Sequence, residues 1–593
     1  MDYQYQPLNK FEKVIRVLFR CHGHSISRKE PLQCKVKHFS LLDTPPPRYA
    51  AISYSWGSSK SVERILLDGR SIEISASAAG VLRFAFNAED ESMPVWVDAV
   101  CINQFDKEEV GHQVGMMRDV YTKADHVLVW LGESDGETEA ALQSINDIVT
   151  QCRQSTKDLR TLDETLWGGV GAARWYLYSD EALPDSCNWS ALRAFFAAHW
   201  FTRLWPVQEV CLAKVAKCFR GKHSIQWNDI ALAARWLYHR KYWKAVGSRL
   251  RGIDCAAEVF DNMRGVNGLY ELLQICMYFD ATDPRDKVYG LLGMIPPTSA
   301  QGQKILLEPD YKDASLKDVY AAAARCAISE GSLTVLKRAT WMRPPLSWKP
   351  YNNLEIGDFP SWVPRLDWAW DPSQGSSSSI NAFTGVSNGT RPLVAEEIGR
   401  PDILRIRGLP AQAVDIVCGS LTFDILQIRG ELAKAIKNAW GVIRRHTGGR
   451  TTSELLMVFA ATICAGQDAN QGRIDHDQAF KAAFARFMLD HAGIHKADDP
   501  VLAECILESQ DATSDEFTDA AFENSMNRCI FLSNEGRLGL GPLESQPGDL
   551  ISVLFGSDVP MILRKHGPYW RCIGDAYVEG LMDVSLPDSS WKK

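Results

Sequence analysis

Three short apolar runs, at residues 51–54, 95–98 and 126–131, alternate with segments of helical periodicity. Each run ends in small or polar residues, which is typical of a buried strand that finishes at a loop. Between the second and third runs, residues 107–123 place apolar side chains at helical spacing. This βαβαβ rhythm predicts a parallel sheet, and open α/β sheets bind ligands at the carboxyl ends of their parallel strands.

The segment after the first run predicts a hairpin and a capped helix. Residues 65–74 form two strand-like stretches, and Asp68-Gly69 between them is a typical hairpin turn. A helix comes directly afterwards, with Ser75 or Ser77 as its N-cap. Both features lie between the first two strands of the predicted sheet.

The patterns divide the chain into five parts. Residues 371–390, rich in serine, predict a flexible linker or loop, and about 65 residues at the end alternate glycines with short β-rich runs. We therefore predict an α/β fold in which a parallel-sheet domain precedes a mostly helical region and a small β-rich module. The predicted parts are a leading segment that packs on the core (1–48), the parallel-sheet domain with an insertion near 133–190 (49–212), a mostly helical region (213–370), the linker (371–390) and an α+β region ending in the β-rich module (391–593).

Composition and charge exclude several classes of protein. Hydrophobic residues make up 46% of the chain, enough for a large core, and a net charge of -8 argues against general nucleic-acid binding. The longest apolar run, residues 455–466, is too short to cross a bilayer, and the first residues show no signal-peptide pattern. The 15 cysteines include no CxxC pair, which indicates thiols in a reducing compartment. We expect a cytoplasmic protein without nucleic-acid partners or a membrane span.

A series of ordered motifs carries the most specific signal in the chain. The motif residues are Tyr49, Ser53-Tyr54, Trp56-Gly57, Trp96-Val97-Asp98, Cys101-Ile102-Asn103-Gln104, Glu109, Gln113-Val114, Met117, Tyr121, Ala124, Trp130-Leu131-Gly132, Trp200-Phe201, Arg203, Trp205 and Gln208-Glu209. In this order they resemble the fungal heterokaryon-incompatibility (HET) domain, although that family usually has an arginine where this chain has Val110. Later segments, residues 283–289, 536–541 and 547–549, resemble segments that lie C-terminal to HET domains in the same family.

The resemblance implies a role in non-self recognition between fungal cells and in programmed cell death. The HET domain is also similar to the TIR domain, in which a glutamate supports cleavage of the nicotinamide–ribose bond of NAD. The three apolar runs resemble TIR strands, and residues 205–210 are similar to the tryptophan-to-glutamate helix of TIR domains. The resemblance thus implies NAD as a substrate, no bound cofactor, and Glu209 as the catalytic carboxylate.

Two glutamates are candidates for that carboxylate, because nearby negative charge stabilises the oxocarbenium-like transition state of glycosidic cleavage. Glu209 is the first candidate, but a glutamate at this position can equally pair with Arg203 or with a backbone amide. Glu109 is the second candidate. It comes after Asp106 at a predicted helix start, where acidic residues simply complement the helix dipole.

Polar and aromatic residues near the predicted strand ends form the candidate ligand site. Trp56 suits stacking on a base, or plugging the edge of the sheet. Asp98 suits a ribose hydroxyl or the capping of its own turn, and Arg203 suits a phosphate or a carboxylate. The complete set of candidate ligand-binding residues is Ser55, Trp56, Gly57, Asp98, Asn103, Gln104, Arg203, Trp205 and Gln208.

Other chemistries fit the sequence poorly. Cys101 with His112 invites a thiol-protease interpretation, but Cys101 comes after a buried strand and no third orienting group is indicated. The cysteine and histidine spacings match no zinc pattern, so we predict no metal site. Neither a GxGxxG nor a GxxxxGKS/T phosphate loop is present, which argues against a Rossmann dehydrogenase and a P-loop ATPase.

The sequence leaves two functions open. In the first, self-association or a protein partner switches on a death effector that hydrolyses NAD through Glu209. In the second, the chain is a non-catalytic interaction module that signals death by assembly, and Trp56, Asp98 and Glu209 are structural. An open pocket beside Glu209 would favour the first function, whereas burial of Glu209 against Arg203 would favour the second.

Overall fold

A computed structural model of the chain shows two compact units, Met1–Leu316 and Lys317–Lys593. The predicted linker at 371–390 and part of the predicted insertion, 156–186, lie outside the residues that the structure describes. Among the described helices, none is long and apolar enough to cross a membrane. The described residues are 2–9, 12–21, 30–56, 61–89, 92–155, 187–262, 268–295, 307–339, 359–368, 391–392, 394–396, 400–446, 453–468, 472–474, 478–492 and 513–582.

The described part of the first unit is built on a nine-stranded sheet. Its strands are β1 Val14–Arg20, β2 Gln33–Ser40, β3 Ala50–Tyr54, β4 Val62–Leu67, β5 Arg70–Ser75, β6 Val95–Trp96, β7 His126–Trp130, β8 Ala216–Arg220 and β9 His223–Gln226. Their order across the sheet is β5-β4-β2-β1-β6-β3-β7-β8-β9. The four central strands, β6, β3, β7 and β8, run parallel, while β1 and β9 flank them in antiparallel pairs. The predicted parallel sheet is confirmed at the centre of a mixed sheet.

The three apolar runs become the strands β3, β6 and β7. All five residues of β3 are buried between its two parallel neighbours. A strand covered on both faces needs apolar side chains at every position, which explains why these segments show runs rather than alternation. The leading segment does more than pack on the core, because Leu18 of β1 pairs with Val95 of β6 and extends the sheet.

Helices connect and cover these strands. The predicted helix at 107–123 is interrupted at Met116, whose amide bonds to both Gln113 and Val114 in a tightened turn. The α-helices of the first unit are α1 Ala76–Ala88, α2 Asp98–Cys101, α3 Lys107–Gly115, α4 Met117–Lys123, α5 Thr138–Ser155, α6 Trp189–Phe196, α7 Trp205–Cys211, α8 Trp227–His239, α9 Trp243–Val246, α10 Arg251–Asn262, α11 Leu269–Ile275 and α12 Asp286–Tyr289, with 3-10 turns at His199–Thr202, Cys276–Tyr278 and Leu292–Met294.

The predicted hairpin and its capped helix are both present. β4 and β5 pair around a turn in which Asp68 has φ 50° and Gly69 has φ 77°, the left-handed conformation that a two-residue hairpin turn requires. The hydroxyl of Ser75 accepts a bond from the amide of Ala78 at 3.2 Å and caps α1. Of the two predicted caps, Ser75 is therefore the one used.

The second unit contains an antiparallel sheet and a group of helices. The order of its seven described strands is β17-β16-β15-β12-β13-β14-β18, and a separate pair, β10-β11, lies before them in sequence. The strands are β10 Val394–Glu396, β11 Leu404–Ile406, β12 Gly408–Leu421, β13 Arg528–Ser533, β14 Leu538–Pro542, β15 Leu550–Leu554, β16 Met561–His566, β17 Tyr569–Asp575 and β18 Tyr577–Val578. The α-helices are α13 Leu316–Ser329, α14 Phe423–Gln427, α15 Arg429–His446, α16 Ser453–Ile463, α17 Gln478–Ala492 and α18 Asp515–Asn524, with a 3-10 turn at Thr334–Arg338.

This antiparallel sheet confirms the predicted β-rich module and enlarges it. Strands from β13 onward lie in the predicted segment, but the 14-residue strand β12 enters from more than 100 positions earlier in the chain. β12 forms the centre of the sheet by pairing with both β13 and β15. Gly539 is needed here, because a Cβ at that position would lie 2.2 Å from the ring of Phe531.

Candidate functional site

The carboxyl ends of β3 and β6 meet the helix α7 in a cluster of ionisable and hydroxyl side chains. Ser53 and Tyr54 end β3, Asp98 lies two residues after β6, and Glu209 lies in α7. The parallel pairing of β3 with β6 places these strand ends at the same edge of the sheet. We call this group the Glu209 cluster; its members are Ser53, Tyr54, Asp98, Tyr121, Arg203 and Glu209.

Glu209 is a buried carboxylate with one unpaired oxygen. Its side chain is 5% exposed, and within the described residues its Oε2 has no hydrogen-bond partner. The pKa of Glu209 is raised to about 7. Burial is the largest cause and the charge of Asp98 also raises it, whereas the hydroxyl of Ser53 and the Arg203 guanidinium lower it. Glu209 therefore changes charge near neutral pH, as a carboxylate poised for proton or charge chemistry does.

Two further polar atoms at the end of β3 lack a partner in the described structure. They are the hydroxyl of Tyr54 and the Oγ of Ser55, both shielded from solvent. A buried polar atom without a hydrogen bond costs about 1–3 kcal/mol, so a native fold rarely keeps several together unless a ligand or water completes them. These unpaired atoms make the strand ends a candidate binding site.

Asp98 and Trp56 are joined at the solvent side of the cluster. The indole nitrogen of Trp56 donates to Asp98 Oδ2 at 3.0 Å, and the amide of Ala99 donates to Asp98 Oδ1 at 2.7 Å. Burial raises the pKa of Asp98, and the Arg203 guanidinium opposes that shift. Trp56 itself is 45% exposed, so its ring is held by one edge while a face stays available to a ligand.

The side chain of Arg203 is hydrogen-bonded to the end of β3. Its Nη1 donates to the carbonyl oxygen of Tyr54 at 2.5 Å, and the side chain is only half-buried. Its positive charge lowers the pKa values of both Asp98 and Glu209. No ion pair joins Arg203 to Glu209 in the part of the chain that the structure describes, so Glu209 is buried without being neutralised by a direct partner.

Glu109 has a different set of partners. Arg16 of β1 donates two hydrogen bonds to it, at 2.5 and 3.0 Å, and the amide of Asn103 donates a third at 2.7 Å. Both side chains of the Arg16–Glu109 pair are buried. Glu109 is therefore engaged in a buried ion pair that joins α3 to the leading strand, and it does not contribute to the Glu209 cluster.

The remaining predicted ligand-binding residues lie in loops or face other partners. The amide of Gln104 donates to the carbonyl oxygen of Asp98 at 3.0 Å, which pins their own loop. Asn103 similarly accepts a bond from the amide of Phe105 at 3.3 Å. Gln208 packs beside Gly293, and both of its amide atoms are unpaired among the described residues. Gly57 lies outside the described residues.

Trp205 belongs to a second buried acidic centre. Its indole nitrogen donates to Asp286 Oδ2 at 3.1 Å, and the Tyr311 hydroxyl donates to Asp286 Oδ1 at 2.6 Å. Burial raises the pKa of Asp286 to about 7. Because both carboxylate oxygens accept bonds from fixed donors, this centre anchors α7 to α12.

Three members of the cluster were not predicted from the sequence as site residues. All three counted only as motif residues of the family resemblance. All three are buried hydroxyl-bearing residues, and burial raises the pKa of the Tyr121 phenol well above its usual range. A hydroxyl inside an otherwise apolar strand or helix face was the available signal for all of them.

Cys101 is not a nucleophile in this structure. Its side chain is fully buried, and burial raises the pKa of its thiol to about 12. A nucleophilic cysteine needs a lowered pKa and access to solvent. The thiol instead accepts a bond from the amide of Val97, which is a structural role.

We expect the Glu209 carboxyl to make the protein less stable as pH rises. Its pKa is higher in the folded chain, at about 7, than its ordinary value of 4.5. The folded state therefore binds more protons between these values, and stability that is complete below about pH 4.5 is lost as pH rises through about 7. The difference in pKa corresponds to a loss of about 3 kcal/mol in the free energy of unfolding.

Thermal unfolding of wild type and Glu209→Gln, compared at acid and alkaline pH, measures this loss. The variant should be more stable than wild type only at the higher pH. An equal difference at both values would contradict the assignment.

Comparisons with known proteins agree with the motif pattern. Residues 49–209 match the family model of the heterokaryon incompatibility protein (HET), and residues 473–593 match that of the Het-6 β-barrel domain. The chain is 23% identical to heterokaryon incompatibility protein 6, OR allele, of Neurospora crassa, over 92% of this chain and 91% of that protein. No solved structure matches the chain. The predicted resemblance to this family is confirmed.

Proposed function

We propose, from the premise that this is a heterokaryon-incompatibility domain protein, that it serves fungal non-self recognition by cleaving NAD at the nicotinamide–ribose bond. Glu209 is the carboxylate that acts on the ribose, and loss of NAD is the step that leads to programmed cell death. The single observation that carries this proposal is the unpaired Oε2 of Glu209, buried at the carboxyl ends of parallel strands. The activity would be confined to the cytoplasm, where NAD is abundant.

The chemistry requires a negative charge beside the sugar. Cleavage of the nicotinamide–ribose bond develops positive charge on the ribose, and a carboxylate held in a dry site stabilises that charge strongly. With a pKa of about 7, Glu209 is ionised in a large fraction of molecules at neutral pH. No cofactor is needed, because the nicotinamide ring leaves as a neutral base and water completes the hydrolysis.

The neighbours of Glu209 supply the remaining contacts that NAD needs. The exposed face of Trp56 suits stacking on a base, and the Arg203 guanidinium suits a phosphate. Asp98 suits a bond from a ribose hydroxyl, because the carboxylate oxygen that holds the Trp56 indole can accept a second bond. The hydroxyls of Tyr54 and Ser55 offer two further donors that have no partner among the described residues.

The order of the parallel strands supports ligand binding at the carboxyl ends of β3 and β7. In chain order the strands are β3, β6, β7 and β8, and in the sheet they lie as β6-β3-β7-β8. That is the second-first-third-fourth arrangement of doubly wound flavodoxin-like sheets, which bind ligands between the first and third strands at their carboxyl ends. Ser55 and Trp56, directly after β3, lie at this end of the sheet.

The proposal is tested by release of nicotinamide from NAD by the purified full chain over a series of protein concentrations. Turnover is the expected result, and its rate per chain should rise with concentration if self-association or a partner brings the site into its active form. Absence of nicotinamide release from folded, self-associated protein would contradict NAD hydrolysis. It would favour a role in non-self recognition through assembly alone.

The alternative is a non-catalytic module that signals cell death by assembly. One observation favours it: at 5% exposure, Glu209 is closed to a substrate in the conformation of this structure. In this case the chain would self-associate or bind a protein partner without consuming NAD. Sedimentation velocity run beside the nicotinamide assay separates the two, because assembly without turnover supports only the module.

Trp56→Ala is expected to raise the KM for NAD about tenfold while changing kcat much less. The reason is that stacking of a base on an aromatic ring contributes about 1–3 kcal/mol of binding. Phe105→Ala is the matched control, because Phe105 is also aromatic and is 92% exposed but is not one of the candidate ligand-binding residues. Equal KM values for wild type and Trp56→Ala would show that the ring does not contact the substrate.

A further inference from the structure

A groove of about 960 Å³ lies in the second unit between two strands that stand at the edges of their sheets. β17 lies at one edge of the seven-stranded sheet, and β11 belongs to the two-stranded sheet of the described residues. Leu404, Arg405 and Ile406 of β11 border the groove on one side, and residues 569–572 of β17 border it on another. The groove lies entirely within residues 317–593, and no function described above uses it.

The edge of β17 presents backbone groups to this groove. The amide of Cys572 donates to the hydroxyl of Ser361 at 2.9 Å, and Ser361 also borders the groove. In an antiparallel strand, amides two residues apart point to the same side, so the amide of Trp570 faces the same way as that of Cys572. A side-chain hydroxyl thus takes the place of one acceptor that a neighbouring strand would supply. Such an edge is a template for a further strand.

The side chains around the groove define the chemistry of a partner. Tyr569 and Trp570 are 40% and 51% exposed, which is unusual for rings of this size unless they serve a contact. Five permanently charged groups border the groove. Arg400 and Asp402 pair with each other at 3.0 Å, so the net positive charge is that of Lys317, Arg405 and Arg571. Positive charge beside exposed aromatic rings favours a partner that is acidic and carries apolar side chains.

We propose that this groove binds an extended, acidic peptide segment of a protein partner, which adds a strand to the edge of β17. Main-chain hydrogen bonds to β17 provide affinity in this binding mode, while the aromatic rings and the cations select alternate side chains of the peptide. An extended peptide accepts a bond from the outward amide of Trp570 and donates one to the outward carbonyl oxygen of the same residue, a pair of bonds that a small anionic ligand such as a nucleotide does not reproduce.

The proposal is tested by fluorescence anisotropy with the purified full chain and labelled ten-residue peptides. The binding probe alternates glutamate and valine. A glutamate–valine peptide that is N-methylated at every residue keeps the charge and the side chains but has no amide donor in either register, so it cannot extend a ladder. A peptide that alternates lysine and valine reverses the charge. We expect the glutamate–valine peptide to bind at least about tenfold more tightly than either control.

Charge reversal on the protein provides a second, independent test. Arg405→Glu is expected to weaken binding of the glutamate–valine peptide at least about tenfold, because it places a carboxylate on the groove. Arg407→Glu is the matched control, since Arg407 is exposed two residues along the chain but does not border the groove, and its affinity should match wild type. Unchanged thermal unfolding of both variants shows that the fold is retained.

Several results would overturn the proposal. The first is absence of binding by the glutamate–valine peptide, and the second is equal binding of the N-methylated peptide, which would rule out strand addition. The third is an equal effect of Arg405→Glu and Arg407→Glu. Displacement of the bound peptide by ADP at lower concentration than by unlabelled peptide would identify a nucleotide groove instead.

Discussion

Replacing Glu209 with glutamine is expected to lower kcat for nicotinamide release from NAD about 10²–10³-fold. Glutamine keeps the size of the side chain but carries no charge, so it cannot stabilise the positive charge that develops on the ribose. That charge exists only in the transition state, so kcat should fall while KM changes little. Initial rates measured over a range of NAD concentrations separate the two effects.

Glu108→Gln is the matched control for this variant. The same chemical change then falls on an exposed carboxylate that pairs with Lys312 at 2.8 Å, outside the Glu209 cluster. Its kcat should equal that of wild type. Wild type should also turn over faster as pH rises through about 7, because the ionised form of Glu209 is the active one. An equal loss in both variants, or full activity in Glu209→Gln, would contradict the assigned role.

Replacing Arg16 with methionine is expected to destabilise the first unit by about 3–5 kcal/mol. The change leaves the Glu109 carboxylate buried without the guanidinium that now donates two bonds to it, and an uncompensated buried charge carries a penalty of this size. Thermal or denaturant unfolding measures the loss.

The double variant Arg16→Met with Glu109→Leu should recover most of that stability, because both charges are then absent. Lys13→Ala is the surface control. Lys13 pairs with Asp119 at 2.5 Å, but it is 49% exposed, so its removal should change stability by no more than about 1 kcal/mol. Failure of the double variant to recover would show that packing, rather than charge, accounts for the loss. NAD turnover per folded chain should stay near wild type in Lys13→Ala.

The centre of the first sheet was predictable because strands that are buried on both faces appear in the sequence as continuous apolar runs. Strands β3 and β7 are continuous apolar runs, and the hairpin between β3 and α1 carries a standard Asp68-Gly69 turn. The mixed character of the sheet was less accessible. β1 was only strand-like in sequence, and its place beside β6 depends on pairing between residues more than 70 positions apart, which local periodicity does not record.

The partners of the two candidate glutamates also depended on distant contacts. Glu109 lies at the start of a helix, as predicted, but its main partner is Arg16, 93 residues earlier. Glu209 was the carboxylate that the motif order favoured, and its surroundings arise from the convergence of several strands and helices. No spacing rule in the sequence brings Tyr121 or Ser53 next to Glu209, so their contribution emerged only from the fold.

In the second unit, the glycine-punctuated β module was predicted but its central strand was not. β12 precedes the other main strands by a long helical segment, and its 14 residues alternate only partly between buried and exposed positions. Irregular pairing explains the weak pattern, because the register shifts at two places against β13 and once against β15. Bulges of this kind change which face a side chain occupies, so strict alternation is lost.

The decisive measurement for the role of Glu209 is nicotinamide release from NAD by wild type, Glu209→Gln and Glu108→Gln, assayed side by side at about pH 6 and about pH 8 with equal folded protein. We expect release by wild type and Glu108→Gln, faster at the higher pH, and a loss of about 10²–10³-fold in Glu209→Gln at that pH. Equal rates for all three proteins, or no release by any of them while they remain folded and self-associated, would contradict NAD cleavage through Glu209.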